Sequence, residues 1–429
     1  MLNTHQSFKS LSSIAKQKQS NDFNCMISIL LTIIFLYSCG ATVVSTPEVV
    51  EKIKPTDEPL APQPMPQDES EVEALNTEYY LGSKEEEERL FADFMKQIQQ
   101  VQTKQSEKKE QPIQRGFHAK AHGCFYGKFE LLADRDERTK FGVFAKEYES
   151  WPIWARFSNG VGWKQADDEL DARGLAIKLM GVQGAKNIDA EKETQDFLMT
   201  NSASPVGKNA IEFMEFAHKN VNGVLSGVFF ALAHPRTAAP ALLFNTNAID
   251  SMVNEQFWSG GAFHLGAHQS VKFTTKPCEG TVKRKPQDDD DPDYLQKDLA
   301  LAGKSGLCYT FYVQLQVNAK DTPIENAAKV WDEDISPLLP VGRLIFPAQD
   351  STKAELKDFC QQLSFNPWHG LFAHRPMGHI NRARRFVYES SKQFRKGGIE
   401  PKDFLGLSTW KNVKAYQWQA NPQTDAKAK

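Results

Sequence analysis

An α+β fold is the class this sequence predicts, from runs of two-residue alternation beside runs of helical period in a chain of ordinary globular composition. The 429 residues are 24% charged and 40% hydrophobic, enough for one large core, and the net charge of −3 gives no basic footprint for nucleic acid. The first helix is expected within 76–110, where Leu90, Phe91, Phe94, Ile98 and Val101 form one apolar stripe among acids, glutamines and lysines. Alternation then marks 113–131 and 152–200. Phe125, Gly127, Phe129 and Leu131 take one face, and Tyr126, Lys128 and Glu130 the other. Further strands are expected at 271–276, 307–317 and 341–346, and helices at 208–219 and 354–362. The acidic run Asp288–Asp291, followed by Pro292 and Asp293, lacks the spaced glycine and glutamate of a calcium loop and reads as a solvated hairpin tip.

The N-terminal region has a different character. Lys9, Lys16 and Lys18 precede an apolar run from Met26 to Tyr37, too short to span a bilayer and of the right length for a signal-peptide core. It ends in Leu36-Tyr37-Ser38-Cys39-Gly40, which resembles a bacterial lipoprotein signal, with Tyr37 as the departure. The alternatives are a plain secretory signal and an uncleaved anchor. On the lipoprotein reading, residues 1–39 are the signal and Cys39 is lipidated. More than one acyl chain would then hold the protein stably on a bacterial membrane. Gly40 is not an inner-membrane retention residue, so an extracytoplasmic site in the outer membrane or periplasm is expected. Residues 40–75, with Pro47, Pro55, Pro59, Pro62, Pro64 and Pro66 among scattered acids, cannot bury a core and read as a disordered tether. The tail, 411–429, is too short for a further domain. Cys25 and Cys39 belong to the signal, which leaves Cys124, Cys278, Cys308 and Cys360. An antiparallel pairing of neighbouring strands would bring Cys278 to Cys308. Four scattered cysteines make no framework, however, and buried free thiols are the favoured reading.

The segment Asn381-Arg382-Ala383-Arg384-Arg385-Phe386-Val387-Tyr388 carries the first chemical signal, because residues four apart share a helix face. A free tyrosine has a pKa of about 10, and an adjacent guanidinium favours its phenolate, a hard anionic ligand suited to ferric iron. Alone, such a pair is a common surface arrangement. Four blocks stand ahead of it in order. They are Arg115-Gly116-Phe117-His118-Ala119-Lys120, leading into a glycine-rich aromatic strand through Glu130; Trp154-Ala155-Arg156-Phe157-Ser158-Asn159-Gly160; Asp171 through Leu179; and Thr194 through Thr200. Together with Phe365–His369 and His374–Gly378, these blocks resemble the haem catalases over roughly residues 111 to 395. The closing stretch is similar to a small, divergent branch of catalase-related haem proteins. The resemblance implies a catalase-like antiparallel β-barrel of about eight strands with surrounding helices across 111–410. It also implies haem b buried between barrel and helices.

The same resemblance implies the roles of individual residues. Tyr388 would be the proximal iron ligand with Arg384 at its oxygen, and His118 the distal proton shuttle. Ser158 would hydrogen-bond the imidazole and fix its tautomer, and Arg115 and Arg156 would neutralise the haem propionates. Phe117, Phe157 and Phe197 would contact the macrocycle. One position departs: the family's distal asparagine, just before the threonine of the fourth block, falls on Glu193. A carboxylate there would raise the pKa of His118 and favour one-electron peroxidase turnover over dismutation of peroxide. His122 shares a strand face with His118, but without a nearby acidic ligand it makes a poor zinc site. His369, His374 and His379 read as packing or surface residues. The implied function is consumption of hydrogen peroxide or organic hydroperoxides, small-molecule substrates. The alternatives are a fatty-acid hydroperoxide isomerase, by analogy of scaffold, and a non-catalytic haem-binding lipoprotein. Glu193 keeps the last open, while retention of His118 together with Arg384 and Tyr388 opposes it.

Overall fold

The computed structural model describes residues 81–169, 171–187, 193–221, 248–395 and 412–417. The signal, Cys39 and the tether lie outside the described residues. Helix α1 (Lys84–Lys109) opens on a capping box in which Ser83 Oγ accepts from Glu86 N at 3.2 Å and Glu86 Oε2 from Ser83 N at 2.9 Å. Its stripe of Phe91, Phe94, Ile98 and Val101 is buried, as the periodicity requires.

Ten strands follow among the described residues: β1 (Ala121–Leu131), β2 (Ser150–Asn159), β3 (Arg173–Met180), β4 (Thr194–Thr200), β5 (Phe257–Trp258), β6 (Ala262–Leu265), β7 (Gln269–Pro277), β8 (Leu307–Leu315), β9 (Leu338–Phe346) and β10 (Pro376–Met377). Every pairing is antiparallel, and the order β7-β5-β4-β3-β2-β1-β9-β8 returns to β7 through seven residue pairs from Val271↔Leu315 to Pro277↔Tyr309. The sheet therefore closes as an eight-stranded barrel, with β6 and β10 as an extension beyond β7. Closure removes the free edges a sheet would otherwise expose. Further helices among the described residues are α2 (Ala210–Val221), α3 (Tyr294–Gly303), α4 (Ala354–Gln362) and α5 (Gly378–Phe394).

Aromatic side chains fill the barrel. Phe125, Phe129, Phe144, Phe157, Phe197, Phe257, Phe273 and Phe311 are all buried in one cluster, with Phe125 and Phe157 edge to face at 5.8 Å and Phe197 and Phe273 at 4.9 Å. Two expectations are corrected here. Phe157 and Phe197 pack inside the barrel and do not line a ligand cavity, because strand residues alternate faces. Their neighbours Arg156, Ser158 and Leu198 take the outer side instead.

The cysteines are also corrected: none of the four is a free thiol. Cys278 bonds Cys308 across the β7–β8 pair, and Cys124 on β1 bonds Cys360 on α4. The acidic run at 288–293 is not a hairpin tip but the approach to α3. Asp293 pairs with Lys120 at 2.8 Å, and Asp291 pairs with Lys297.

Outside the barrel, α1 packs along α5 around Phe91, Phe94, Ile98, Ala383 and Val387. A buried ion network joins the two helices: Arg382 donates to Glu87 Oε2 and Oε1 at 2.9 and 2.8 Å and to Glu325 Oε1 at 2.8 Å. The segment before α5 is held to the outer face of β3 and β4 by the buried pair Lys178–Asp196 (2.9 Å), since Asp196 also accepts from Asn366 N at 3.0 Å. Trp368 Nε1 then donates to Asn381 O at 2.6 Å, which ties the same segment to α5.

Candidate active site

Where α1, α5 and the segment at 364–365 cover the outer face of β2, β3 and β4, they line a partly open cavity, with about 760 Å³ not filled by atoms, part of it open to solvent. The register of three strands builds its barrel-side wall. Ser158 pairs with Gly174 and Gly174 with Thr200; one step along, Arg156 pairs with Ala176 and Ala176 with Leu198. Where it faces the cavity, the central strand thus presents glycine and alanine, leaving a flat shelf between bulkier flanks. Gly174 is required there, because a Cβ at that position would stand 2.5 Å from His118 Nδ1 and 2.8 Å from Ser158 Oγ.

His118 sits at the entrance to β1 with φ 58°, a left-handed backbone unusual for a residue with a side chain. Two backbone bonds hold it there, His118 N to Gly160 O at 2.8 Å and Ala119 N to Val161 O at 3.1 Å. Its Nδ1 lies 3.1 Å from Ser158 Oγ and also bonds the carbonyl oxygen of Asn159. A carbonyl can only accept, so Nδ1 carries the proton and Nε2 is left as the bare, basic nitrogen. The Asn159 side chain is itself locked, accepting from Lys120 N at 2.9 Å and donating to Trp163 O at 2.9 Å. Burial first, and the nearby Arg156 cation second, push the His118 pKa down to about 4, so the ring is neutral at ordinary pH.

The opposite wall is α5. Arg384, Val387, Tyr388, Ser391, Lys392 and Arg395 all reach the cavity from one face of that helix. Arg384 Nη2 stands 3.3 Å from the Tyr388 oxygen, its guanidinium carbon is 5.3 Å from the ring centroid, and its Nη1 donates to Asn381 Oδ1 at 3.0 Å. The helical spacing thus delivers the pair that the sequence suggested.

Positive charge accumulates at one side of the cavity. Arg115 Nη1 donates to Gln361 O at 3.0 Å, and Arg395 donates to Gln361 O and Leu363 O at 3.1 Å each. Arg156 donates to Ala119 O at 3.3 Å, and its buried Nε has no hydrogen-bond partner among the described residues. Burial lowers the pKa of Arg115 and brings that of Arg156 to about 9, with the neighbouring guanidiniums as the next cause in each case. Like charges gathered in a buried place are unfavourable unless an anion joins them.

Of the residues expected at the site, His118, Ser158, Arg115, Phe117, Arg156, Arg384 and Tyr388 do line one cavity. Glu193 does not. It is exposed at the start of β4, at the end of the strand remote from Thr200, and its backbone oxygen bonds Val182 N at 2.9 Å. The outward positions facing the cavity from β4 are Leu198 and Thr200, and the His118 pKa is lowered rather than raised. Counting from a block boundary misjudged the register, because only strand pairing says which residue stands beside Gly174. Arg395 and Lys392 were missed, although spacings of seven and four from Tyr388 place them on its helix face. The Asn159 carbonyl was missed because a backbone acceptor has no residue signature. His369, His374 and His379 are buried packing residues. His374 Nε2 accepts from Val143 N and His379 Nδ1 from Ala210 N, both at 3.0 Å. His122 lies buried with its Nδ1 3.7 Å from Asp167 Oδ1.

A closed antiparallel barrel walled by glycine and alanine, a neutral histidine, a cationic flank and a helix-borne Arg–Tyr pair could together hold a flat ligand that carries negative charge. Comparison with known proteins bears on the fold and the family. Residues 82–224 match the family model described as catalase. The chain is 25% identical over 318 residues to the peroxisomal catalase of Toxoplasma gondii and 27% identical over 281 residues to the catalase of Danio rerio. Those matches cover 66% and 59% of this chain. They span only 59% and 51% of the two relatives' own lengths. Among solved structures, catalase A from Saccharomyces cerevisiae superposes with a TM-score of 0.55 at 21% identity, covering 68% of this chain and 62% of its own. A fungal catalase superposes with a TM-score of 0.55 at 20% identity, covering 80% and 67%. These likenesses together support membership of the catalase superfamily.

Proposed function

We propose that this protein is a haem-dependent, catalase-type oxidoreductase that consumes hydrogen peroxide or organic hydroperoxides. The single observation that carries the proposal is His118. Its Nδ1 proton is committed to the Asn159 carbonyl, so a bare Nε2 is left in the same cavity as the Arg384–Tyr388 pair. The residues present fit haem b. Gly174 and Ala176 leave the barrel wall flat, the buried Arg156 Nε awaits an acceptor, and the Tyr388 oxygen lies beside a guanidinium that favours its anion. Tyr388 would ligate the iron, and Arg115 and Arg156, with Arg395, would take the two propionates. Haem, when bound, supplies the iron at which the peroxide O–O bond is cleaved.

The protein's own part is proton management. Cleavage needs a proton removed from one peroxide oxygen and delivered to the other, and His118 Nε2 can accept and return it. The Asn159 carbonyl and Ser158 keep the tautomer fixed while this happens. The low pKa keeps Nε2 unprotonated before peroxide arrives.

The proposal extends to location: export, and attachment to a bacterial membrane through lipid on Cys39. The support is the basic and apolar N-terminal run ending in Cys39-Gly40, together with two disulfides of a kind that persists in oxidising compartments. Among the described residues no helix is long and apolar enough to cross a membrane.

The test is to load the full chain with ferric haem, record its absorption spectrum and measure oxygen release from hydrogen peroxide. Tyr388→Phe should lose or alter the ferric spectrum. His118→Ala should keep the haem and lose about 10²–10⁴-fold in peroxide turnover. Unchanged spectra in the phenylalanine variant, or full turnover in the alanine variant, would contradict the assignment.

A further inference from the structure

The arginine cluster stands on a support that none of its own residues provides. Arg115 and Arg395 both donate to the last carbonyls of α4. Gln361 O accepts from both, at 3.0 and 3.1 Å. Leu363 O accepts from Arg395 at 3.1 Å and from Arg115 as well. Cys360 O accepts more weakly from Arg115 at 3.5 Å. Carbonyls at a helix C-terminus have no partner within the helix and sit at the negative end of its dipole, so they are natural seats for guanidinium groups. The place of α4's last turn therefore decides where two of the cavity's cations stand.

That turn is bonded covalently to the strand pair that carries the third. Cys360 is disulfide-linked to Cys124 across 236 residues of sequence, and Cys124 lies directly opposite Arg156 in the β1–β2 register. Around the bond, Trp154, Met180 and Leu363 form a small cluster separate from the barrel core, with Trp154 and Phe359 4.6 Å apart. We infer that the Cys124–Cys360 disulfide is the positioning cross-link of the cationic flank: it registers the carbonyls of α4 against β1 and β2 so that Arg115, Arg156 and Arg395 converge on one paired carboxylate ligand. The inference rests on the haem reading, in which those carboxylates are the propionates. The second disulfide supplies a control, because Cys278 and Cys308 pack with Ile345 and Tyr416, none of which lines the cavity.

The experiment titrates the full chain with metal-free protoporphyrin IX, which keeps the carboxylates and lacks iron, and separately with ferric haem. Cys124→Ala with Cys360→Ala should weaken metal-free porphyrin binding about tenfold or more, the scale of one lost charge-assisted bond, and should speed haem dissociation. Cys278→Ala with Cys308→Ala should leave both within about twofold even if it lowers the melting temperature. Arg115→Met should cost less in the Cys124/Cys360 variant than in the parent, since its effect depends on the link. If the Cys124/Cys360 variant does not fold, the Cys278→Ala/Cys308→Ala chain, which keeps Cys124–Cys360, can be reduced with a dithiol, which gives two electrons and two protons to that bond and closes to its own disulfide. The thiols are then alkylated, and faster haem loss is again expected. Equal porphyrin affinity with and without the link, or equal weakening by loss of either disulfide, overturns the inference. A parent that binds ferric haem but not metal-free porphyrin keeps the haem reading and overturns the clamp. A parent that binds neither overturns both.

Discussion

At the scale of single residues, the site depends on two tight local choices, a left-handed His118 and a glycine opposite it. Because burial and the Arg156 cation take His118 from 6.5 to about 4, peroxide turnover should stay level from pH 7 to pH 5 and fall only near pH 4. A pH–rate profile with its acid midpoint near 6.5 would show that the ring is not held as described. The sign for stability is the same. A folded pKa below the unfolded one contributes stability that is complete above about pH 6.5 and is lost as pH falls toward the folded value. Gly174→Ala would place a methyl inside van der Waals contact with His118 Nδ1 and Ser158 Oγ, with a stability cost of about 1–3 kcal/mol and a larger loss of turnover as the ring is displaced. Urea melts and steady-state rates on that variant separate the two effects. Glu193→Asn, by contrast, should leave turnover within about twofold, because the side chain is exposed at the wrong end of β4.

At the scale of elements, alternation sorts the residues of β2 and β4 into those that hold the barrel and those that face the cavity. Phe157→Ala and Phe197→Ala should each lower stability by about 3–5 kcal/mol, measured by urea unfolding, while the loaded protein's ferric spectrum keeps its shape. A spectrum changed as much as by Tyr388→Phe would put those rings back at the ligand. The helix pair α1–α5 offers a second test. Arg382→Met would leave Glu87 buried without its principal cation, so a loss of about 3–5 kcal/mol is expected. The consequence for function follows from the same packing, since α5 carries Arg384 and Tyr388 and α1 contributes Ile98 to the cavity. Haem retention in that variant should fall along with the melting temperature.

At the scale of the whole molecule, the barrel and its helices are one folding problem and the proposed membrane attachment is another. If Cys39 carries the lipid, Cys39→Ser should move the expressed protein from the membrane fraction to the soluble one with no change in its ferric spectrum after loading. Fractionation that leaves it on the membrane would favour an uncleaved anchor. The two disulfides belong to the folded body, and loss of either is expected to lower its stability.

Much of this architecture is written locally and so could be read without coordinates. Helix α4 was expected at 354–362 and lies at Ala354–Gln362. The stripe of α1, the alternation of β1 and the i, i+4 pair Arg384–Tyr388 depend only on spacing along one element, which sequence carries in full. The short strands β5, β6 and β10 and the helix α3 were not legible, because two to four residues hold too little period and α3 follows an acidic run that mimics a turn. Relations between elements were beyond reach for a physical reason. A residue's partner across a sheet is set by register, and register is chosen by the packing of the whole barrel. That choice put Phe157 and Phe197 inside, set Leu198 and Thr200 where a polar residue had been sought at Glu193, and brought Cys124 to Cys360 across 236 residues. Residue chemistry is a property of the chain; which groups share a cavity is a property of the closed sheet and the helices laid against it.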